Sequence, residues 1–169
     1  MSIRHTTFET SLGELTLVAD SETLTGIFFP GHWHLPARAD FGPPVMVADD
    51  ALFTRAAAQL QDYLDGARTT FDLPIALSGT SFQQRVWEQL THIPYGKTIT
   101  YGDLATALGD TTAWEVGQAV GRNPVSIVVP CHRVVGKDGK LTGYAGGLSR
   151  KRLLLDREES AASRLAKLF

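Results

Sequence analysis

The chain has 169 residues, a formal net charge of −2, 43% hydrophobic residues and 20% charged residues, a composition typical of one large or two small globular domains. The charge balance argues against a strongly basic nucleic-acid-binding protein, although a local basic face is compatible with it. The single cysteine, Cys131, excludes an intramolecular disulfide and a thiolate zinc site. No apolar segment approaches the length of a membrane span. From these features together we expect a cytoplasmic, monomeric protein that binds no membrane and no metal.

The first half of the chain has the pattern of a sheet followed by a helix. Apolar residues predict three strands near residues 3–8, 14–19 and 24–29. Prolines, histidines and a tryptophan then indicate a loop before a helix at roughly 49–65. Residues 71–73 have the pattern of another short strand. We place a domain boundary near residue 77, so that residues 1–77 form an N-terminal scaffold domain.

The second half, residues 78–169, is predicted to be mainly helical. Ser81, with Gln84 three residues later, indicates the N-terminus of a helix. Thr100 and Thr112 resemble the caps of two further short helices, joined by a connection that contains Gly109. Two short helices with a glycine in the turn are typical of a helix-turn-helix.

A last helix is predicted at about 149–159, with leucines on its core face and residues 150–152 on its solvent face. The fold class is therefore α+β. A small N-terminal domain of antiparallel sheet and helix is followed by a mainly helical C-terminal domain with a helix-turn-helix.

Cys131 is a candidate nucleophile, because it follows an apolar, strand-like run and precedes a histidine. A free cysteine is usually a small buried hydrophobe, and it becomes reactive when a nearby base or cation stabilises its thiolate. His132 is adjacent, but on an extended strand the two side chains point to opposite faces, so contact needs a turn or a bridging water. A carboxylate would orient the imidazole. Glu158 and Glu159 are both candidates, and spacing does not select between them.

Several ordered motifs resemble those of the O6-alkylguanine-DNA alkyltransferases. The resemblance covers residues from about 80 to 159, and the N-terminal half is compatible with the smaller domain of that family. It rests on six segments: Phe82–Trp87, Ile93–Gly96, Thr100–Ala105, Gly121–Val125, Pro130–Val135 and Gly143–Gly147.

The resemblance implies a repair protein that acts once. Such proteins rotate an alkylated guanine out of double-stranded DNA and transfer the alkyl group from O6 to a cysteine, without a cofactor. Extrusion fits the chemistry, since a stacked base hides its reacting atom. Thymine alkylated at O4 is a possible second substrate.

The resemblance also implies roles for individual residues. Cys131 matches the alkyl acceptor, His132 the base that activates it through water, and Glu158, favoured over Glu159 by the match, the carboxylate that orients the histidine. Asn123 matches the asparagine that organises the cysteine segment, and Tyr101 the tyrosine that helps rotate the DNA backbone and hydrogen-bonds the departing guanine. The base pocket is implied to be lined by Val134, Tyr144, Ala145 and Gly146. The implied DNA-binding residues are Gln83, Tyr101, Gly102, Trp114, Arg122 and Lys137.

The chain departs from the family at the start of the second helix of the helix-turn-helix. The family usually has Ala-Arg-Ala-Val-Gly there, and its arginine fills the space left by the rotated base. Trp114 occupies the arginine position, followed by Glu115. An indole can stack in the gap, but it cannot hydrogen-bond the orphaned cytosine, and Glu115 adds a negative charge near the phosphates. We therefore expect weaker binding to DNA with unchanged thiol chemistry.

Two other classes of function are open from the sequence. One is a non-catalytic protein that recognises alkylated bases, but relatives of that kind lack the cysteine. The other is a cysteine hydrolase that uses Cys131 and His132, which would turn over repeatedly and would leave the helix-turn-helix without a role.

Overall fold

The computed structural model describes residues 3–167, and the side chains of residues 3–159. The chain forms two compact units. The first runs to Ser78 and also includes Pro124–Val128, and the second comprises Gly79–Asn123 and the residues from Val129 onward. The assignment of the short segment before Cys131 to the first unit was not predicted from the sequence. No helix in the described part of the chain has the length and apolar character to cross a membrane.

The first unit contains an antiparallel sheet in which the middle strand supplies most of the core. Leu15, Leu17 and Ala19 of this middle strand are completely buried, which explains the apolar alternation of the sequence. The three predicted strands are confirmed. In the order in which they pair, they are β1 (Ile3–Thr10), β2 (Gly13–Asp20) and β3 (Thr23–Phe28).

Irregular segments, rather than a fourth strand, cover the free edge of β3. The N–H of Leu24 donates to the carbonyl of Pro74 over 2.8 Å, and the N–H of Ile27 donates to the carbonyl of Pro124 over 2.9 Å. The predicted strand at 71–73 is therefore wrong, because the pairing occurs three residues later and consists of one isolated bridge at Ile75. Proline cannot donate to a ladder, so it suits such an edge position.

The helix of the first unit, α1 (Ala51–Leu64), begins at an acidic cap. Asp50 accepts a hydrogen bond from the N–H of Phe53 over 3.1 Å, which satisfies one of the open donors of the first turn. The guanidinium of Arg4, on β1, donates to the same carboxylate. This hydrogen bond holds the pKa of Asp50 below its usual value, against the opposing effect of burial. One side chain therefore caps α1 and links it to the sheet. The helix face that it positions buries Phe53, Ala56, Leu60, Tyr63 and Leu64.

The second unit is mainly helical, as predicted. Its elements are α2 (Ser81–Leu90), β4 (Ile99–Thr100), α3 (Tyr101–Leu108), α4 (Ala113–Gly121), β5 (Val134–Val135) and α5 (Leu148–Lys167).

The start of α2 differs by one residue from the prediction. Thr80 is the cap, and it forms a reciprocal capping box with Gln83, so Ser81 is the first helical residue. Trp87 is buried and donates its indole N–H to the carbonyl of Ala119 over 2.9 Å. This bond satisfies the polar atom of the indole and holds α2 against α4.

The predicted helix-turn-helix is formed by α3 and α4. Gly109 ends α3 with a φ of 93°, a conformation that favours glycine. Thr112 and Glu115 form the capping box that begins α4. Parallel pairing of β4 with β5 matches Ile99 with Val134, which places the strand that leads into α3 beside the strand at Val134–Val135.

We expect Asp50→Ala to lower the free energy of unfolding by about 1–3 kcal/mol, because the helix loses its cap and Arg4 loses its partner. Since the pKa of Asp50 is lowered in the fold, its contribution is present above the unfolded carboxyl pKa of about 3.9 and disappears as pH falls below it. Urea unfolding at neutral pH and at about pH 3 measures both effects. The exposed neighbour Asp49 supplies the control Asp49→Ala, and an equal loss there would contradict the assignment.

Candidate active site

Cys131 lies in a tight turn rather than at the end of a strand. Residues Cys131–Arg133 form a single 3₁₀ turn, in which the N–H of Arg133 donates to the carbonyl of Pro130 over 3.0 Å. The strand-like prediction for the residues before it is wrong, because they make only isolated bridges, and Pro130 supplies no N–H for a ladder. The side chain of Asn123 donates to the carbonyl of Val129 over 2.9 Å, which anchors the chain just before the turn.

His132 is held by a buried carboxylate. Its Nε2 lies 2.8 Å from Oε2 of Glu158, and the two side chains are 0% and 1% exposed. Glu159 is exposed on the same helix. The structure therefore places Glu158, and not Glu159, against the histidine.

The same carboxylate binds Arg133. The guanidinium donates from Nε to Oε1 over 2.8 Å and from Nη2 to Oε2 over 3.0 Å, and from Nη1 to the carbonyl of Ile93 over 2.7 Å. Burial would raise the pKa of Glu158, but the hydrogen bonds and charges of His132 and Arg133 prevail and lower it to about 2. Glu158 is therefore ionised across the physiological pH range.

The ionised carboxylate decides the state of the imidazole. Burial lowers the pKa of His132, and the hydrogen bond and charge of Glu158 oppose this only in part, so the ring is neutral at neutral pH. A carboxylate can only accept, so Nε2 carries the proton and donates it to Glu158. The buried Nδ1 is then the basic nitrogen, which is the state that a general base requires.

The thiol of Cys131 is buried, with 3% of the residue exposed. Burial raises its pKa, while hydrogen bonding from Asn123 and the positive charge of Lys151 act in the opposite direction, together with smaller effects that include a hydrogen bond from Tyr144. The thiol is therefore protonated at neutral pH. It needs a base to become a nucleophile, and His132 follows it in the same turn.

Tyr101, the first residue of α3, lies within electrostatic range of Cys131. Burial raises the pKa of its hydroxyl, a hydrogen bond with Thr142 lowers it, and the charge of Cys131 raises it further. The hydroxyl therefore keeps its proton at neutral pH and can donate it. Its ring lies close to the backbone of α4, since a Cβ atom on Gly117 would be 3.7 Å from it.

Lys151 is a residue of this site that the sequence prediction missed. The prediction placed residues 150–152 on the solvent face of the last helix, but Lys151 is 0% exposed. Its Nζ lies 5.7 Å from the centre of the Tyr101 ring. Three cations in a row are typical of a surface, and no local signal in the sequence distinguished the middle one.

The residues predicted to line the base pocket are all buried. Val134 is the first residue of β5 and directly follows the turn, and Tyr144, Ala145 and Gly146 are all buried. Among the described residues, no group of three or more His, Cys, Asp or Glu side chains is arranged to hold a metal ion.

The predicted DNA-binding residues have different surroundings. Gly102, Trp114, Arg122 and Lys137 are exposed, and Trp114 is 73% exposed. Gln83 is partly buried, and its side-chain oxygen accepts a hydrogen bond from the N–H of Thr80 in the cap of α2.

The comparisons with known proteins agree with this geometry. A family model described as the ribonuclease-like domain of 6-O-methylguanine DNA methyltransferase matches residues 3–77, and a model of the DNA-binding domain of the same enzyme matches residues 81–160. The chain belongs to the 6-O-methylguanine DNA methyltransferase family. The resemblance inferred from the sequence motifs is therefore confirmed, and so is the α+β fold class.

Individual members of this family match over nearly the whole chain. The methylated-DNA–protein-cysteine methyltransferase of Mycobacterium tuberculosis is 44% identical over 168 residues, with 99% of each chain covered. The inducible enzyme of Bacillus subtilis is 43% identical over 153 residues, with 86% of each chain covered. The crystal structure of the Mycobacterium tuberculosis O6-methylguanine methyltransferase matches with a TM-score of 0.84 at 43% identity, over 94% of each chain. A structure of that protein in complex with DNA matches with a TM-score of 0.81 at 42% identity, over 93% of each chain.

We expect Glu158→Gln to lower the free energy of unfolding by roughly 3–5 kcal/mol, because Arg133 is left buried without its counter-charge. The pKa of Glu158 is about 2 in the fold and about 4.3 in the unfolded chain. Its contribution is therefore complete above about pH 4.3 and disappears as pH falls toward 2.

Urea unfolding from pH 7 down to about pH 2.5 tests this expectation. The parent should lose stability more steeply with acid than Glu158→Gln does. The matched control is Glu159→Gln, on the exposed neighbour, for which we expect a change within about 0.5 kcal/mol. Equal acid slopes for the parent and Glu158→Gln would contradict the assignment.

Proposed function

We propose that this protein repairs DNA by transferring an alkyl group from O6 of guanine to the sulfur of Cys131, once per molecule. The observation that carries the proposal is the buried series of Cys131, His132 and Glu158, in which an ionised carboxylate fixes a neutral imidazole beside a protonated thiol. Membership of the 6-O-methylguanine DNA methyltransferase family supports it.

The first step moves a proton from the thiol to His132. Nδ1 of the imidazole accepts it through a bridging water, and Glu158 stabilises the imidazolium that results. The thiolate then attacks the alkyl carbon, so that the S–C bond forms as the C–O6 bond breaks. The bonding electrons leave with the guanine, which would depart as an anion unless a donor neutralises it.

Tyr101 is the proposed donor to the departing guanine. Its hydroxyl retains its proton at neutral pH, and the charge of Cys131 acts on it, which supports a position beside the reacting atoms. Donation to the guanine stabilises the charge that develops in the transition state. The phenolate then recovers a proton through solvent as the imidazolium of His132 releases the thiol proton, so that the net result moves the thiol proton to guanine.

The product limits each molecule to one reaction. An alkyl thioether is stable in water, and the nucleophile is consumed when it forms. Cys131 is also the only cysteine of the chain, so no second thiol can accept the group from it.

The helix-turn-helix of α3 and α4 is the proposed DNA-binding element. O6 is hidden in a stacked duplex, so the alkylated base must rotate out to reach a buried sulfur. The proposed DNA contacts are those inferred from the sequence: Gln83, Tyr101, Gly102, Trp114, Arg122 and Lys137. The proposed pocket for the rotated base is lined by Val134, Tyr144, Ala145 and Gly146. The complex of the Mycobacterium tuberculosis relative with DNA supports DNA as the partner.

Trp114 sets this chain apart from the family pattern. It lies in the first turn of α4, exposes 73% of its surface, and precedes Glu115, which is committed to the cap of the helix. We propose that the indole stacks in the gap left by the rotated base. It brings neither the charge nor the hydrogen bonds of an arginine, so the affinity for DNA is lower.

Incubation with a duplex that contains one O6-methylguanine tests the alkyl transfer directly. We expect the intact mass of the protein to rise by one methyl group in place of a hydrogen, and to stop there with excess substrate, because one thiol accepts one group. Cys131→Ala is the control and should stay unchanged. Repeated release of product would indicate a hydrolase, and a parent that binds the lesion without gaining mass would indicate a non-catalytic binder.

We expect Trp114→Arg to bind duplex DNA more tightly than the parent, with a salt dependence steeper by about one released counterion. Fluorescence anisotropy at several salt concentrations measures both quantities. Trp33 is another exposed tryptophan, 51% exposed and in the first unit, so Trp33→Arg adds the same charge away from the helix-turn-helix. Equal affinities of Trp114→Arg and the parent for duplex DNA would contradict the proposal that this position weakens binding.

A further inference from the structure

The first unit contains a cavity on one face of its sheet, with a volume of about 230 Å³. Residues of β1 and β2 line it, together with residues of the loop at 29–41. Side chains alternate along a strand, so Glu14 and Thr16 on β2 lie on the face opposite to the fully buried Leu15 and Leu17. The cavity is smaller than the roughly 300–1,000 Å³ of sites for drug-sized molecules, so it suits a smaller ligand.

Two opposite charges line this cavity without pairing. Glu14, on β2, and Arg38, in the loop, are both exposed. In the part of the chain that the structure describes, neither side chain makes a hydrogen bond or an ion pair with the protein. Both groups are therefore available to a ligand that enters the cavity.

The position of Glu14 is unfavourable for the sheet itself. The register of β1 and β2 pairs Glu14 directly with Glu9. Like charges directly opposite each other destabilise a pair of strands. The stability of the hairpin does not explain an acidic residue at position 14, whereas a bound ligand with donor groups does.

The loop contributes apolar and aromatic walls. Phe29 and Phe41 line the cavity and are almost completely buried. Leu35 also lines it, although 48% of this residue is exposed. A ligand with apolar faces would cover these side chains, while its polar atoms would lie at the edge that meets Glu14 and Arg38. This combination of walls and charges fits a planar heterocycle.

The two charged groups specify the edge of that heterocycle. A carboxylate only accepts hydrogen bonds, and a guanidinium only donates them. Among the bases of DNA, only guanine offers two adjacent donors, N1–H and the N2 amino group, and its O6 and N7 are the acceptor pair that arginine binds in a bidentate manner. Adenine and cytosine have an acceptor beside their donor, and thymine has one donor between two carbonyls. Each of these three would therefore bring an acceptor against the carboxylate.

We propose that this cavity binds an unmodified guanine base, which donates from N1–H and the N2 amino group to Glu14 and accepts from Arg38 at O6 and N7. An alkyl group on O6 removes the N1 proton and blocks the O6 acceptor, so this site rejects the base that the Cys131 site is proposed to accept. The Watson–Crick edge is occupied inside a duplex, so the base comes from a free nucleoside or from single-stranded DNA. The site includes no residue of the Cys131 turn, and it goes beyond the proposed function.

Isothermal titration calorimetry with guanosine tests the proposal on the parent and on Glu14→Gln. The glutamine brings an amide NH₂ group against the donors of guanine, so the affinity should fall by about 5- to 150-fold, the range for one bidentate pair. The matched control is Glu9→Gln, which removes the same charge from the cross-strand neighbour, outside the cavity. It should bind guanosine as the parent does. No binding of guanosine to the parent, an unchanged affinity in Glu14→Gln, or an equal loss in Glu9→Gln would overturn the proposal.

A second titration uses the parent protein alone and separates the two sets of hydrogen bonds. 1-Methylguanosine lacks the N1–H that faces Glu14, and 7-deazaguanosine lacks the N7 acceptor that faces Arg38. Both should bind more weakly than guanosine, and so should adenosine. An affinity for any of the three equal to that for guanosine would contradict the assigned contacts.

Two single-stranded oligothymidines, one with a single guanine and one without, identify the source of the base. A preference of the parent for the guanine-containing strand that disappears in Glu14→Gln would assign the site to single-stranded DNA. Equal binding of both strands, with guanosine still bound, would assign it to free nucleosides. Alkyl transfer to Cys131 enters neither measurement, so its failure would remove the proposed function and leave the guanine site to be decided by these titrations.

Discussion

The carboxylate of Glu158 is the interaction on which the geometry of the Cys131 turn depends. One oxygen accepts from His132 and from Arg133, and the other accepts from Arg133. Arg133 in turn reaches the carbonyl of Ile93, just beyond α2. A single buried side chain on α5 therefore orients the imidazole and ties the 3₁₀ turn to two helices. Because a buried charge is tolerated only when it is paired and hydrogen-bonded, the three groups hold one another in place.

The charges of this core are compatible with a reaction that starts from a protonated thiol, as proposed. At neutral pH, Glu158 is ionised and His132 is neutral, while Arg133 and the largely protonated Lys151 are positive. These four groups together therefore carry one net positive charge in the resting state. In the proposed reaction, transfer of the thiol proton to His132 creates a thiolate within this positive surrounding and a cation beside Glu158. The imidazolium has its partner, Glu158, already in place, so little reorganisation accompanies the proposed step.

The parts of the fold that the sequence predicted are those that depend on local signals. The capping box of Thr112 and Glu115 begins α4 as its spacing indicates, and the alternation of β2 follows from burial of one face. The choice between Glu158 and Glu159 needed the family motif, because the two residues are adjacent and their separations from His132 along the sequence differ by only one position. Here the match and the geometry agree on Glu158.

The features that the sequence did not predict depend on contacts between distant segments. Lys151 lies between two arginines, and only the packing of α5 against Tyr101 and the loop at 142–143 buries it. The segment before Cys131 looked like a strand because it is apolar. It is irregular instead, and Ile127 adopts a φ of 73° while almost completely buried. A β-branched residue pays a steric cost in that conformation, so tertiary packing, rather than local preference, determines the path of the chain there.

The departure at Trp114 and Glu115 and the chemistry at Cys131 are separable for a structural reason. Both departing side chains are exposed, and Glu115 is engaged by Thr112 within its own helix. The contact between α4 and the reactive site is made one turn later, where the backbone at Gly117 lies against the ring of Tyr101. A change at position 114 can therefore alter how the helix meets DNA while the support of Tyr101 persists. The surface proposed to find the lesion and the core proposed to react with it are joined through Gly117, which has no side chain to transmit the change.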